Sequence, residues 1–79
     1  MSICNNLRMR DKRLNILAKN IKAERVRVGL TQTELANQID VSYNTISQIE
    51  QARQMPSVFI VYDIAKCLGV TFEDLFKNI

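Results

Sequence analysis

Residues 32–51 read QTELANQIDVSYNTISQIEQ, and this stretch decides the fold. Read at the helical period, it forms two short helices, over residues 32–38 and 42–51. Asp40 and Val41 lie between them and leave room for only a tight corner. The stretch therefore predicts a pair of helices that meet at an angle.

Residues that cap helices stand in front of both segments. Thr31 and Glu34 have the spacing of a capping box, in which the hydroxyl and the carboxylate each accept from a free backbone N–H. Ser42 can accept from the N–H groups that open the second helix. Each segment also has an apolar edge that predicts its buried side: Leu35, Ala36 and Ile39 in the first, Ile46 and Ile49 in the second.

The other faces of the second helix are uncharged and rich in hydrogen-bonding groups: Tyr43, Asn44, Thr45, Ser47 and Gln48. An ordinary solvated face carries Lys and Glu pairs instead. Amide side chains donate and accept at once, as a contact with a base edge in the major groove requires. The pattern alone leaves two interpretations open, a helix that reads DNA or a corner of two helices with a polar outer surface.

The composition predicts one small all-α domain. The chain has 79 residues with two Gly and one Pro, and it lacks runs of alternating β-branched residues. No apolar run approaches the roughly 20 residues of a membrane span, and residues 1–10 lack the apolar core of a secretory signal. We therefore expect a cytoplasmic protein that makes no membrane contact.

Charge is distributed unevenly along the chain. Residues 1–30 carry eight Lys or Arg and two acidic residues, whereas residues 31–79 carry three Lys or Arg and six acidic residues. A basic half beside an acidic half indicates a polyanion partner, and a solvated basic helix with a basic tail is the alternative. We divide the chain into a basic N-terminal extension, residues 1–13, and a helical domain, residues 14–79.

The residues present disfavour catalysis and metal binding. The chain has no His, and Cys4 and Cys67 lie far apart in the sequence. Zinc sites need clustered Cys and His ligands, and the common nucleophile arrangements need a His. We expect no enzyme activity, no cofactor, no metal and no small-molecule substrate.

The segments on either side of the central stretch complete the helix count. An apolar stripe interrupted by Arg25 predicts a first helix that begins between residues 11 and 14 and ends at Gly29. Ser57 caps a fourth helix, and Thr71 opens a fifth with the capping-box spacing to an Asp three residues on. The sequence therefore predicts five helices.

The pattern Gln32-x3-Ala36-x3-Asp40-x5-Ile46-x2-Ile49-Glu50 resembles the helix-turn-helix of the Cro/C1 phage-repressor family, also called the XRE family. The resemblance continues through Pro56-Ser57, Ile64-Ala65-Lys66-x-Leu68-Gly69-Val70 and Asp74-Leu75-Phe76. It implies an all-α, five-helix, lambda-repressor-like DNA-binding domain with its helix-turn-helix motif at residues 32–51.

Two positions depart from the family pattern, which usually has Gly at both. Asp40 stands at the corner between the helices, and Ala52 follows the second helix. Asp adopts the left-handed conformation at a moderate cost and Ala at a higher one. We therefore expect the exit from the second helix to be built differently in this chain.

The resemblance implies that the second helix of the motif lies in the major groove while the first crosses the DNA backbone. Carried over position by position, the residues at the base edges are Ser42, Tyr43, Asn44, Ser47 and Gln48, with Asn44 and Gln48 the leading candidates. Tyr43 could contact a thymine methyl or a phosphate, or it could be a surface aromatic that covers the helix start. The expected backbone contacts are Thr31, Gln32, Thr45 and Arg53.

An Arg on a core-facing stripe needs a partner. The matching positions of the family form an Arg–Glu pair, so the resemblance implies a structural ion pair between Arg25 and Glu50. The alternative is that the Arg25 side chain extends to solvent or to a phosphate.

Family members usually bind palindromic sites as two-fold dimers. The apolar residues that the chain offers for such an interface are Phe59, Ile60, Phe72, Phe76 and Ile79. Phe59 and Phe72 have an alternative role, in which each folds back and completes a small core.

The function implied is that of a sequence-specific transcriptional regulator, a repressor that binds double-stranded DNA at a palindromic operator as a homodimer. A second class of protein stays open as the alternative, an antitoxin-like protein-interaction module with secondary DNA binding. A bound partner on purification would favour that alternative.

Overall fold

The computed structural model describes residues 11–79, which form four α-helices and one short 3-10 helix without a β-strand. In chain order these are α1 (Lys12–Val28), α2 (Gln32–Gln38), α3 (Tyr43–Glu50), α4 (Val58–Leu68) and the 3-10 helix (Glu73–Phe76). Residues 1–10, which make up most of the predicted basic extension, lie outside the described residues. No helix in the described part is long and apolar enough to cross a membrane.

The predicted hydroxyl caps open α2, α3 and α4. Thr31, Ser42 and Ser57 each accept from the N–H three residues on, at 3.0, 3.1 and 3.1 Å. The Glu34 carboxylate accepts from the Thr31 N–H at 2.8 Å, which completes the predicted capping box. Because Ser42 is a cap, α3 begins one residue later than predicted.

Each of the four α-helices is followed, within two residues of its end, by a residue in the left-handed conformation. The φ angles are 84° at Gly29, 60° at Asp40, 59° at Ala52 and 73° at Gly69. The N–H of this residue and the N–H of the next one both donate back to carbonyls of the last helical turn. After α3, Ala52 donates to Ile49 O at 3.1 Å and Arg53 donates to Gln48 O at 2.9 Å.

The expectation that the exit from α3 would be built differently is therefore wrong. Ala52 takes the left-handed conformation itself, and it is buried, with only 4% of its surface exposed. A left-handed L-residue costs about 1–2 kcal/mol, and burial of a methyl contributes roughly 0.8 kcal/mol. Burial and the two closing hydrogen bonds offset the strain that Gly would avoid.

The fifth element is a 3-10 helix of four residues, so the prediction of five α-helices is wrong for the last one. The predicted cap is present, because the Asp74 carboxylate accepts from the Thr71 N–H at 3.0 Å, and this backbone contact holds the pKa of Asp74 below its usual value. However, the Asn20 amide on α1 donates to the carbonyl oxygens of Leu75 and Lys77 at 2.9 and 3.0 Å. The Leu75 carbonyl is thus engaged by α1, and the backbone is extended at Lys77.

The hydrophobic core lies where all five elements converge. Its largest fully buried side chains are Ile21, Leu35, Ile46, Ile49, Val61, Ile64, Leu68 and Leu75. Helices α2 and α3 pack mainly on each other, and α1 crosses behind them to contact α3, α4 and the 3-10 helix. The α2–α3 pair is therefore held as a unit against α1.

Arg25 is buried in α1, with 9% of its surface exposed, and its guanidinium binds two other parts of the fold. Its Nε and Nη2 donate to the Glu50 carboxylate at 2.7 and 3.1 Å, and its Nη1 donates to the Leu30 carbonyl at 2.7 Å. Gln32 Nε2 donates to the same carboxylate at 2.9 Å. These bonds join α1, the turn after it, the start of α2 and the end of α3.

We expect Arg25→Ala to lower the free energy of unfolding by about 3–5 kcal/mol, because it leaves the buried Glu50 carboxylate without its cation. Arg27→Ala is the matched control, since Arg27 pairs with Glu24 from an exposed position, where such pairs contribute about 0–1 kcal/mol. Urea unfolding followed by circular dichroism compares the two variants. If both variants lost the same free energy of unfolding, the buried network would not be what holds the helices together.

Asp40→Gly should raise the free energy of unfolding by about 0.5–1 kcal/mol, because Gly takes the left-handed conformation without a Cβ clash. Asp40 is exposed, so its side chain leaves no cavity. Asp40→Val, which places a β-branched side chain in the same conformation, should lower the stability. Thermal melts should shift in opposite directions, by about 4–8 °C per kcal/mol. Melting temperatures that stay unchanged in both variants would mean that the corner carries no strain.

Candidate nucleic-acid interface

The side of α3 opposite its buried stripe is polar and carries no charge. Ile46 and Ile49 point into the core. The residues on the other side are Tyr43, Asn44, Ser47, Gln48 and, at the C-cap, Gln51. Each of these ends in a group that donates or accepts hydrogen bonds. We call these five residues the outer face of α3.

Gln51 belongs to this face although the sequence analysis does not include it. The signal was present, because residue 51 follows Ser47 by four positions and Asn44 by seven, and such spacings fall on one side of an α-helix. The Gln51 backbone N–H donates to the Ser47 carbonyl at 3.1 Å, and its Nε2 donates to Ser47 Oγ at 2.7 Å. Gln51 is exposed, whereas Ser47 is half-buried.

Ser42 and Thr45 form a second pair of side chains at the other end of α3. Ser42 Oγ accepts from the Thr45 N–H at 3.1 Å, and the two hydroxyl oxygens lie 2.9 Å apart. One hydroxyl therefore donates to the other, and the second keeps its proton for an outside acceptor. The pair holds the first turn of α3 in place.

Thr31 and Gln32 lie at the start of α2, and both already bind protein groups. Thr31 is engaged in its capping box with Glu34. The half-buried Gln32 gives one amide N–H to Glu50, which leaves its second N–H to donate elsewhere. The structure thus holds the Gln32 amide in place through the same carboxylate that binds Arg25.

Arg53 lies directly after the left-handed Ala52 and is exposed. The residues at the matching positions after α1, α2 and α4 are Leu30, Val41 and Val70, which pack against the core. Arg53 differs from them, since only its backbone takes part in the closure of the helix. A fixed backbone with an exposed guanidinium places one positive charge beside the end of α3.

An open cleft of about 480 Å³ lies between the end of α1 and the start of α2. It is lined by Arg25, Val26, Gly29, Leu30, Thr31, Gln32, Thr33 and Tyr43. Tyr43 is 54% exposed and forms the wall contributed by α3. The cleft therefore connects the start of α2 to the first residue of α3.

The apolar residues considered for a dimer interface fall into separate groups. The Phe72 and Phe76 rings lie 5.0 Å apart, and both residues, with Ile60, are half-buried against the core. Phe59 is 77% exposed on α4. A second cleft of about 290 Å³ is lined by Asp11, Arg13, Leu14, Leu17, Met55, Phe76 and Ile79. Phe76 and Ile79 thus share an apolar cleft with the start of α1.

The described residues do not present a metal site. Within residues 11–79, no group of three or more His, Cys, Asp or Glu side chains is arranged to hold a metal ion. The Cys67 thiol donates to Gln38 Oε1 at 2.9 Å, and burial raises its pKa, which disfavours the reactive thiolate.

Comparison with known proteins matches residues 21–75 to a family model described as helix-turn-helix. An uncharacterized HTH-type transcriptional regulator of Methanocaldococcus jannaschii is 38% identical over 60 residues, which cover 76% of this chain and 91% of the relative. The crystal structure of a hypothetical transcription factor from Neisseria is 30% identical, with a TM-score of 0.77 over 81% of this chain and 74% of that one. The restriction-modification controller protein C.AhdI of Aeromonas hydrophila shares the fold, at 21% identity and a TM-score of 0.77 over 80% of this chain and 96% of its own.

Proposed function

Because this chain belongs to the helix-turn-helix family of transcriptional regulators of the Cro/C1 type, we propose that it reads a specific double-stranded DNA sequence through α3 and represses transcription. The observation that supports this is the outer face of α3, five neutral hydrogen-bonding side chains on one side of a capped helix. Neutral donors and acceptors can discriminate base edges, whereas positive charges bind any phosphate.

We propose that Asn44 and Gln48 make the principal base contacts. Both are amides on the outer face of α3, and an amide can form a bidentate pair with the N6 and N7 atoms of adenine. Tyr43, at the start of the helix, packs on a thymine methyl or reaches a phosphate. Ser42 and Ser47 complete the set of residues at the base edges.

Phosphate contacts flank the base contacts in this proposal. Arg53 supplies a charge at the end of α3, and Gln32 offers its second amide N–H at the start of α2. Thr31 and Thr45 lie at the first turns of α2 and α3, where backbone N–H groups also face outward. These contacts set the register on DNA and carry no sequence information.

Two copies of the chain would bind a palindromic operator, with their α3 helices about 34 Å apart. We propose that the apolar cleft beside Phe76 and Ile79 forms the two-fold interface, with Phe72 behind it and the start of α4, Phe59 and Ile60, at its edge. Met55 and Ile79 are 66% and 48% exposed and would be covered. In this assembly the domain of residues 14–79 forms the dimer together with Asp11 and Arg13, which line the cleft, and the basic residues before them add phosphate contacts.

The DNA-binding proposal is tested on the site that wild-type protein selects from a random DNA pool. Asn44→Ala and Gln48→Ala should each change the base preference at particular positions, by about 1–3 kcal/mol per lost bidentate contact. Arg53→Ala should weaken binding to every sequence alike and reduce the log–log salt slope by about one per subunit. Fluorescence anisotropy titrations at several salt concentrations measure both effects.

Lys66→Ala is the matched control for Arg53→Ala, because it removes the same charge from an exposed position on α4. It should leave the salt slope unchanged. A pool that yields no enriched sequence would remove the proposed function. Wild-type base preferences in both amide variants would show that other residues read the DNA.

The assembly proposal is tested by sedimentation velocity at tens of micromolar. Met55→Asp combined with Ile79→Asp should convert a dimer to monomers, because both residues would bring a charge into the apolar cleft. Tyr62→Asp is the control, since Tyr62 is 52% exposed on α4 and does not line this cleft. A monomeric wild type that binds a palindrome one subunit at a time would contradict the proposal. A second protein that co-purifies would instead favour the antitoxin-like alternative.

A further inference from the structure

A hydrogen bond within the outer face of α3 determines how one of its residues can act. Gln51 Nε2 lies 2.7 Å from Ser47 Oγ. An amide nitrogen only donates, so the serine oxygen is the acceptor in this bond. The Ser47 hydroxyl proton must therefore point to a different partner.

The Gln51 side chain is itself held in place. Its backbone N–H donates to the Ser47 carbonyl at 3.1 Å, so the two residues are joined through both backbone and side chain. Directly after Gln51, the N–H groups of Ala52 and Arg53 close the helix. The backbone of Gln51, which carries the amide that binds Ser47, is thus held in place by these hydrogen bonds.

We propose that Gln51 is a positioning residue that presents Ser47 as a hydrogen-bond donor to a purine N7 in the major groove. This inference rests on the proposed function, since it requires α3 to lie in that groove. A free serine hydroxyl in a helix can rotate, and it often donates to the carbonyl four residues back. While the oxygen accepts from Gln51, the proton cannot point along that bond, so fewer directions are open to it and an outside acceptor becomes one of its few partners.

The chemistry of the groove limits which bases can accept this proton. Both purines present N7 at the major-groove edge and thymine presents O4, whereas cytosine presents an amino donor. A hydroxyl that already accepts from Gln51 still has its proton for an acceptor, but only one lone pair remains for a second donor. Ser47 would therefore disfavour cytosine, and at a purine it would bind N7 without distinguishing adenine from guanine, a task left to Asn44 and Gln48.

The test replaces each purine of the selected operator, one at a time, with its 7-deaza analogue, which removes N7 and keeps the base pair. Besides any loss at adenines bound by Asn44 or Gln48, wild-type protein should lose roughly two- to tenfold in affinity at the purine that Ser47 contacts, the range expected for a single hydrogen bond. Ser47→Ala should bind the natural and 7-deaza operators equally at that position. Gln51→Met, which keeps the length of the side chain but not the amide, should lose most of this discrimination although Ser47 is intact.

The double variant Ser47→Ala, Gln51→Met should bind both the natural and the 7-deaza operator with the same affinity as Ser47→Ala alone, because Gln51 acts through Ser47. Gln54→Met is the control, an exposed residue in the loop that follows, and it should keep wild-type discrimination. Circular dichroism establishes that each variant is folded.

Two results would overturn the inference while leaving the proposed function in place. One is full 7-deaza discrimination in Gln51→Met. The other is an operator at which no 7-deaza substitution costs the wild type more than it costs Ser47→Ala. If the random pool yields no enriched sequence, the proposed function fails and this inference fails with it.

Discussion

The bidentate contact between the Arg25 guanidinium and the Glu50 carboxylate is the interaction on which the rest of this structure depends. It joins the last turn of α1 to the end of α3, and the same guanidinium holds the turn before α2 through the Leu30 carbonyl. Gln32 shares the carboxylate, so the start of α2 is included. One buried charge pair, together with apolar packing, therefore links both helices of the α2–α3 pair to α1.

Much of this arrangement was predictable because it rests on local rules. The capping residues Thr31 and Ser42 lie directly before the helices they open, and the spacing of Ile46 and Ile49 identifies the buried side of α3. The uncharged outer face of α3 follows from the same spacing. These features depend on residues within one or two turns of each other, where a sequence determines geometry directly.

The features that the sequence did not predict depend on contacts between distant segments, or on burial and hydrogen bonds that offset a strained backbone. The last element is a 3-10 helix whose C-terminal end is bound by Asn20, more than 50 residues earlier, and no local pattern contains that contact. Ala52 adopts a conformation that its side chain disfavours because burial and hydrogen bonds elsewhere offset the strain. Gln51 was missed for a simpler reason. It is the C-cap residue of α3, and the residues assigned to the outer face from the sequence ended before it.

At the end of α3, the residue whose N–H closes the helix does not also pack against the core, whereas the matching residues after the other α-helices do both. After α1, α2 and α4, the residue whose N–H closes the helix also packs its side chain against the core. After α3 the backbone of Arg53 completes the closure while its side chain stays in solvent. Relatives could therefore exchange this side chain for another charge or a neutral group at little cost in folding. The charge next to the end of α3 can in this way evolve independently of the scaffold that presents this helix.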